Sequence, residues 1–264
     1  MRVLIHPGFH KTGTTSLQRG ADAQRETLAP RLRLVLPHDI EPLNFAARRV
    51  SVGINANRVA AFRDAVAGFA QRVDPEDPRP LFVSSEHLCG LLPGRKSVTT
   101  YATAPELLGH MVEVLARQVP DLSLSVWFTT RAPEAWLQSL YWQLLRSQRL
   151  TVGPEQFAEG FRDAAELDAI VARVAERLGR QADVSCTRLE ACGTDPLGPL
   201  GVALDRLGVS RGGLLPLARQ NVQPAEAAAE LLALNRSHLD DAALGAAKTA
   251  LLKRLRKAGQ TRAG

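Results

Sequence analysis

Residues Gly8 to Thr15 read GFHKTGTT, a run of glycines, a lysine and hydroxyls of the kind that holds phosphate. In the common nucleoside-triphosphate loop, GxxxxGK[ST], the lysine follows the second glycine. Here Gly8, Gly13 and Thr15 fit, Thr14 stands at the lysine position, and Lys11 lies inside the loop. Gly8 and Gly13 let the chain turn and approach closely, and the backbone N–H groups from Gly13 to Ser16, opening a helix, point at an anion. A lysine so placed runs along the wall of the anion site. There its ammonium can meet the bridging oxygen between a phosphate and the group being transferred, which suits a short chain of phosphate-like groups.

Two further stretches carry chemistry. PLFVSS is followed by Glu86 and His87, two titratable side chains where a general base for an attacking hydroxyl belongs. A carboxylate partly desolvated beside an anion is expected to have a raised pKa, and an imidazole titrates near neutrality unaided, so both qualify. LSLSVWFTT is followed by Arg131, whose guanidinium can hold phosphate oxygens bidentately. Ser139, about two helical turns on, can add a hydroxyl. His6 and His10 flank the loop, and either can touch the transferred group.

Elements must bring these stretches together. Apolar runs of strand length at 3–5, 32–37, 80–85, 122–130 and 182–189 alternate with helical spacing over 13–28, 57–72, 104–118, 132–149 and 166–180. The alternation predicts an α/β fold with a doubly wound, mostly parallel sheet. In such sheets ligands bind beyond the carboxyl ends of the strands, where HPGFHKTGTT, SSEHLCG and TRAPEAW all fall. Residues 38–56 and 88–103 read as long irregular loops that supply acceptor contacts. Residues 190–221 read as a loop-rich segment around a short helix, and helices over 224–239 and about 242–257 close the chain.

The 264 residues are 45% hydrophobic and 23% charged, an ordinary balance for one globular domain over 1–264. The net charge of +6 is accounted for by Lys248, Lys253, Arg254, Arg256, Lys257 and Arg262, since residues 242–264 hold no acid. The excess therefore marks a basic C-terminal helix rather than a nucleic-acid face. The start, MRVLIHPG, is too short in apolar residues for a leader or a membrane span, and a cytoplasmic protein is expected. Cys89, Cys186 and Cys192 form no CxxC pair, so no disulfide framework or metal site is suggested. Core packing accounts for at least two of Trp127, Trp136 and Trp142, with one available to stack on a base.

HKTGTTSLQ, from His10 to Gln18, resembles the 5′-phosphosulfate loop of sulfotransferases that use 3′-phosphoadenosine 5′-phosphosulfate (PAPS), and RAPEAWLQSLYWQLLR resembles their 3′-phosphate motif. The resemblance implies the P-loop sulfotransferase fold, related to nucleotide kinases, and transfer of a sulfuryl group from PAPS to a hydroxyl or amine of a glycan or small metabolite. Adenosine 3′,5′-bisphosphate is the product, and no metal is needed. It implies that His10, Lys11, Thr12, Gly13, Thr14 and Thr15 hold the 5′ end of the cofactor, with Lys11 neutralising the leaving phosphate. Arg131 and Ser139 are then the 3′-phosphate ligands. SSEHL is similar to the branch with a glutamate base, which places Glu86 ahead of His87. Arg219 and Asn221 match a late loop over the nucleotide, although Gln223 replaces its usual serine, and the RKGxxGxW loop of the cytosolic animal enzymes is missing. A competing reading, a small-molecule or nucleotide kinase with an aberrant loop, wants the lysine at position 14 and a magnesium-holding Asp at a strand end. Neither is present.

Overall fold

The apolar run VLI becomes the centre of strand β1 (Arg2–His6), buried from Val3 onward. A computed structural model describes residues 1–217 and 225–261 of the chain. After β1 come helices α1 (Thr14–Ala23) and α2 (Arg25–Leu28), strand β2 (Arg33–Val35), helices α3 (Glu41–Val52) and α4 (Ala56–Ala70), and strand β3 (Leu81–Ser84). Helix α5 (Ala104–Gln118), strand β4 (Ser123–Thr130), helices α6 (Pro133–Ser147), α7 (Pro154–Gly160), α8 (Arg162–Ala165) and α9 (Leu167–Leu178), and strand β5 (Asp183–Arg188) follow. Helices α10 (Pro199–Leu207), α11 (Ala225–Arg236) and α12 (Asp241–Thr261) complete the chain.

The five strands form one parallel sheet in the order β2-β3-β1-β4-β5. Leu4 pairs with Phe82 of β3 and Ser125 of β4, so β1 lies at the centre. Leu4, Phe82 and Trp127 share one face and pack with Leu17 and Ala21 of α1 and Leu200, Ala203 and Leu204 of α10. Helices α5 and α9 pack together, and α9 also contacts β4 and β5. The sheet is doubly wound. The chain leaves β1 toward the β2 edge and leaves β4 toward the β5 edge, and this reversal between neighbours opens a crevice at their carboxyl ends.

Two expectations change. Residues 38–56 are mostly helical: a 3-10 turn Pro37–Ile40 leads into α3, whose Leu43, Ala46, Ala47 and Val50 are buried at three- and four-residue spacing. Pro37 and Pro42 do not prevent this, since each stands in the first turn of its helix, where a missing N–H costs nothing. The single helix expected over 13–28 breaks at Gln24 into α1 and α2.

The described chain divides into two compact units, Met1–Pro133 with Asp163–Arg219, and Glu134–Arg162 with Gln220–Gly264. The sheet and all its strands belong to the first. In the second, Lys248 of α12 is buried, and its Nζ donates to the carbonyls of Leu145 and Gln148 at 2.8 and 2.9 Å. This cation satisfies carbonyls that the end of α6 leaves open, so it is not part of a solvated basic face. Among the described residues no helix is long and apolar enough to cross a membrane.

Candidate active site

Buried apolar residues fix β1, and the seven residues after it turn sharply into α1. Gly8, Lys11 and Gly13 have φ of 53°, 71° and 90°. A Cβ on Gly8 would stand 2.6 Å from the Thr14 methyl, and one on Gly13 would stand 2.6 Å from Leu189 Cδ1, so both positions require glycine. Lys11 has no such freedom: a β-carbon in the left-handed region costs of order 1–2 kcal/mol. Gly13 is the N-cap of α1, and no side chain caps its first turn. The N–H groups of that turn are therefore left to a ligand or solvent. Thr12 and Thr14 are buried, Thr15 is exposed, and His10, Lys11 and Gly13 are half-buried.

The loop is tied down from three sides. Thr12 Oγ1 donates to the Phe9 carbonyl at 2.7 Å and lies 2.9 Å from Thr129 Oγ1 on β4. The His10 N–H donates to the buried Tyr101 hydroxyl at 3.1 Å. Arg131, the first residue beyond β4, donates from Nη1 to the Lys11 carbonyl at 3.2 Å. The next N–H, of Ala132, is accepted by Glu190 at 3.2 Å. Burial lowers the Arg131 pKa, partly offset by Glu190, so its half-buried charge sits beside the loop without a direct carboxylate partner among the described residues.

Glu86 and His87 open a 3-10 turn, Glu86–Cys89, at the end of β3, capped by Ser85. Ser85 in turn donates to Asn44 of α3 at 2.8 Å, which fixes the turn to that helix. The His10 and His87 rings lie 5.6 Å apart, so the base candidates and the loop share one site. Gln18, one turn into α1, donates to Glu86 Oε2 at 2.8 Å.

The electrostatics reverse one expectation. Burial pushes the Glu86 carboxyl up, but His10, the Gln18 amide, its own backbone N–H and His87 outweigh it, and its pKa lies below the ordinary value. Glu86 is therefore ionised at neutral pH and ready to accept a proton, with less driving force than a raised pKa would give. Burial takes His10 down to about 4 against the opposing pull of Glu86, and His87 is lowered for the same reason. The Nδ1 of His87 is buried and has no hydrogen-bond partner among the described residues.

The structure thus gathers His10, Lys11, Thr12, Gly13, Thr14, Thr15, Glu86, His87 and Arg131 in the first unit, at the carboxyl ends of β1, β3 and β4. Ser139 stands half-buried on α6 in the second unit. Arg219, Asn221 and Gln223 lie outside the described residues. His6 cannot touch a transferred group: it is wholly buried, with Nδ1 2.9 Å from Ser84 Oγ and Nε2 3.2 Å from Thr129 Oγ1. All three tryptophans are buried, and Trp127 packs on the His6 ring at 4.7 Å. Sequence reading missed Tyr101 and Thr129 at the site. Thr129 carried a signal, one of two adjacent hydroxyl residues that close an apolar run at the strand end.

No family model matches the chain, and no curated protein matches it. Among solved structures it is similar to the crystal structure of a sulfotransferase from Alicyclobacillus acidocaldarius, at 18% identity over 96% of this chain and 94% of that one, with a TM-score of 0.48.

Proposed function

We propose that this chain is a PAPS-dependent sulfotransferase that moves a sulfuryl group to a hydroxyl or amine of a glycan or small metabolite. The observation that carries the reading is Lys11 itself: a lysine held in a left-handed conformation beside the uncapped start of α1, at the carboxyl end of the central strand. The residues fit such a donor. The first-turn N–H groups of α1 are free of side-chain caps, Gly8 and Gly13 keep the loop clear of β-carbons, and Arg131 supplies a second cation for a further phosphate.

When bound, PAPS supplies the sulfuryl group and a phosphate leaving group. Lys11 and the first-turn N–H groups of α1 neutralise charge growing on the leaving oxygen, interactions that strengthen only as the bond breaks. Glu86, ionised and oriented by Gln18, takes the proton from the acceptor. Arg131 contributes twice, binding the 3′-phosphate and holding the Lys11 carbonyl. His10 borders the transferred group, and the acceptor enters past α3 and residues 90–103.

The test is incubation with sulfur-labelled PAPS and a panel of glycans and hydroxylated or amino small molecules. Label in an acceptor, with release of adenosine 3′,5′-bisphosphate, is the expected result. Transfer of phosphate from magnesium ATP, with none of sulfur from PAPS, would replace the reading with a kinase.

A further inference from the structure

Six side chains inside the first unit form one hydrogen-bonded chain, and its proton directions are fixed by counting donors. Thr12 spends its only hydroxyl proton on the Phe9 carbonyl. The 2.9 Å contact between Thr12 and Thr129 therefore has Thr129 as donor, which spends that proton too. His6 Nε2, 3.2 Å from Thr129 Oγ1, must carry a hydrogen. His6 is wholly buried, and burial takes its pKa down to about 3 against the pull of Glu86, so the ring is neutral and Nδ1 is bare. Ser84 then donates to Nδ1 at 2.9 Å. The Ser84 oxygen is left to accept from Gln18 Nε2 at 3.4 Å, and the second hydrogen of that amide goes to Glu86 Oε2 at 2.8 Å.

We infer that Gln18 is the positioning residue of Glu86, the amide from which hydrogen bonds run one way to the Glu86 carboxylate and the other way through Ser84, His6, Thr129 and Thr12 to the Phe9 carbonyl. The inference rests on the reading of Glu86 as base. Every link has one possible direction, and an amide with two hydrogens is the one group in the chain that can feed both ends. Ser would lack the second donor, and Glu would lack both. The chain joins the ends of β3, β1 and β4 and the phosphate loop, so base and loop are held as one unit. Each buried polar atom along it is satisfied, which makes the arrangement rigid rather than costly.

Glu86 is also faced by His10 and His87, and its charge is felt at His6, Cys89 and Tyr101. The test must therefore separate Gln18 from these neighbours. In Gln18→Leu both amide donors vanish while the histidines stay. Carbon-13 titration of the Glu86 carboxyl, assigned by its loss in Glu86→Gln, is expected to show proton affinity raised about tenfold or more over wild type. Gln18→Glu, which keeps the length but removes both donors and sets a second carboxylate beside Glu86, should raise it as well. In the wild-type protein, nitrogen-15 spectra should show His6 with Nε2 protonated and Nδ1 bare, without titration from about pH 5 to about pH 8.

An unchanged Glu86 titration in both variants, a His6 ring protonated on Nδ1, or a ring that titrates near neutrality would overturn the inference. The histidine measurement needs no variant, so a Gln18→Leu protein that fails to fold leaves the test standing. None of these measurements uses PAPS or an acceptor. Failure of the base assignment would instead show as turnover retained in Glu86→Gln, with the titration shift still present.

Discussion

Arg131 Nη1 donates to the backbone carbonyl of Lys11 across 3.2 Å, so the cation at the end of β4 holds in place the residue that carries the cation of the loop. Arg131→Ala should therefore weaken adenosine 3′,5′-bisphosphate much more than AMP, which lacks the 3′-phosphate. A smaller loss common to both ligands should report the loosened loop. Calorimetry with the two nucleotides reads the difference, and equal losses for both would remove Arg131 from the 3′-phosphate.

Lys11 combines a backbone cost with a proposed catalytic gain. Lys11→Ala should lower turnover by roughly a hundredfold or more, on the scale of about 3 kcal/mol for a single transition-state donor. Lys11→Gly should be equally inactive yet no less stable, since relief of about 1–2 kcal/mol of left-handed strain exceeds glycine's entropic cost of about 0.5–1 kcal/mol. Urea melts and PAPS consumption measured on the same variants check both. A Lys11→Gly protein that is active, or clearly less stable than wild type, would contradict this account.

The base is separable from its neighbour. Glu86→Gln keeps the size and the Gln18 contact but cannot take a proton, and turnover should fall about a hundredfold or more while adenosine 3′,5′-bisphosphate still binds. His87→Asn should cost much less. Because the Glu86 pKa is below the ordinary carboxylate value, the acid limb of the pH–rate profile should fall at or below that range, and a limb above it, though below the ordinary histidine value, would point to His87.

Acid should destabilise the fold through His6. The unfolded ring titrates near 6.5 and the folded one at about 3, so between these values the unfolded chain binds the extra proton. Stability is complete above about pH 6.5 and is lost as pH falls toward 3. Between pH 7 and pH 5 this one buried ring should account for a loss of about 2 kcal/mol. Denaturant melts at the two pH values measure it, and a flat profile would show that His6 is charged in the fold.

Much of this was legible along the chain because it is local. The run VLI, the two glycines around Lys11 and the apolar stretches of β3 and β4 identify their elements by spacing alone, and the sheet places their carboxyl ends together. Helix α3 was missed in the stretch read as a loop over 38–56, although the apolar spacing of Leu43, Ala46, Ala47 and Val50 is helical. The direction of the Glu86 shift was not legible, because the groups that lower it, His10 and then Gln18, meet it only in the fold, Gln18 across 68 residues. His6 meets Ser84 and Thr129 over separations of 78 and 123 residues, and only strand order brings them together.

The donor is the central claim, and calorimetry tests it without any knowledge of the acceptor. Adenosine 3′,5′-bisphosphate should bind without magnesium and more tightly than AMP or ATP, with most of that preference lost in Arg131→Ala. Tighter, magnesium-dependent binding of ATP, with adenosine 3′,5′-bisphosphate no better than AMP, would contradict the account.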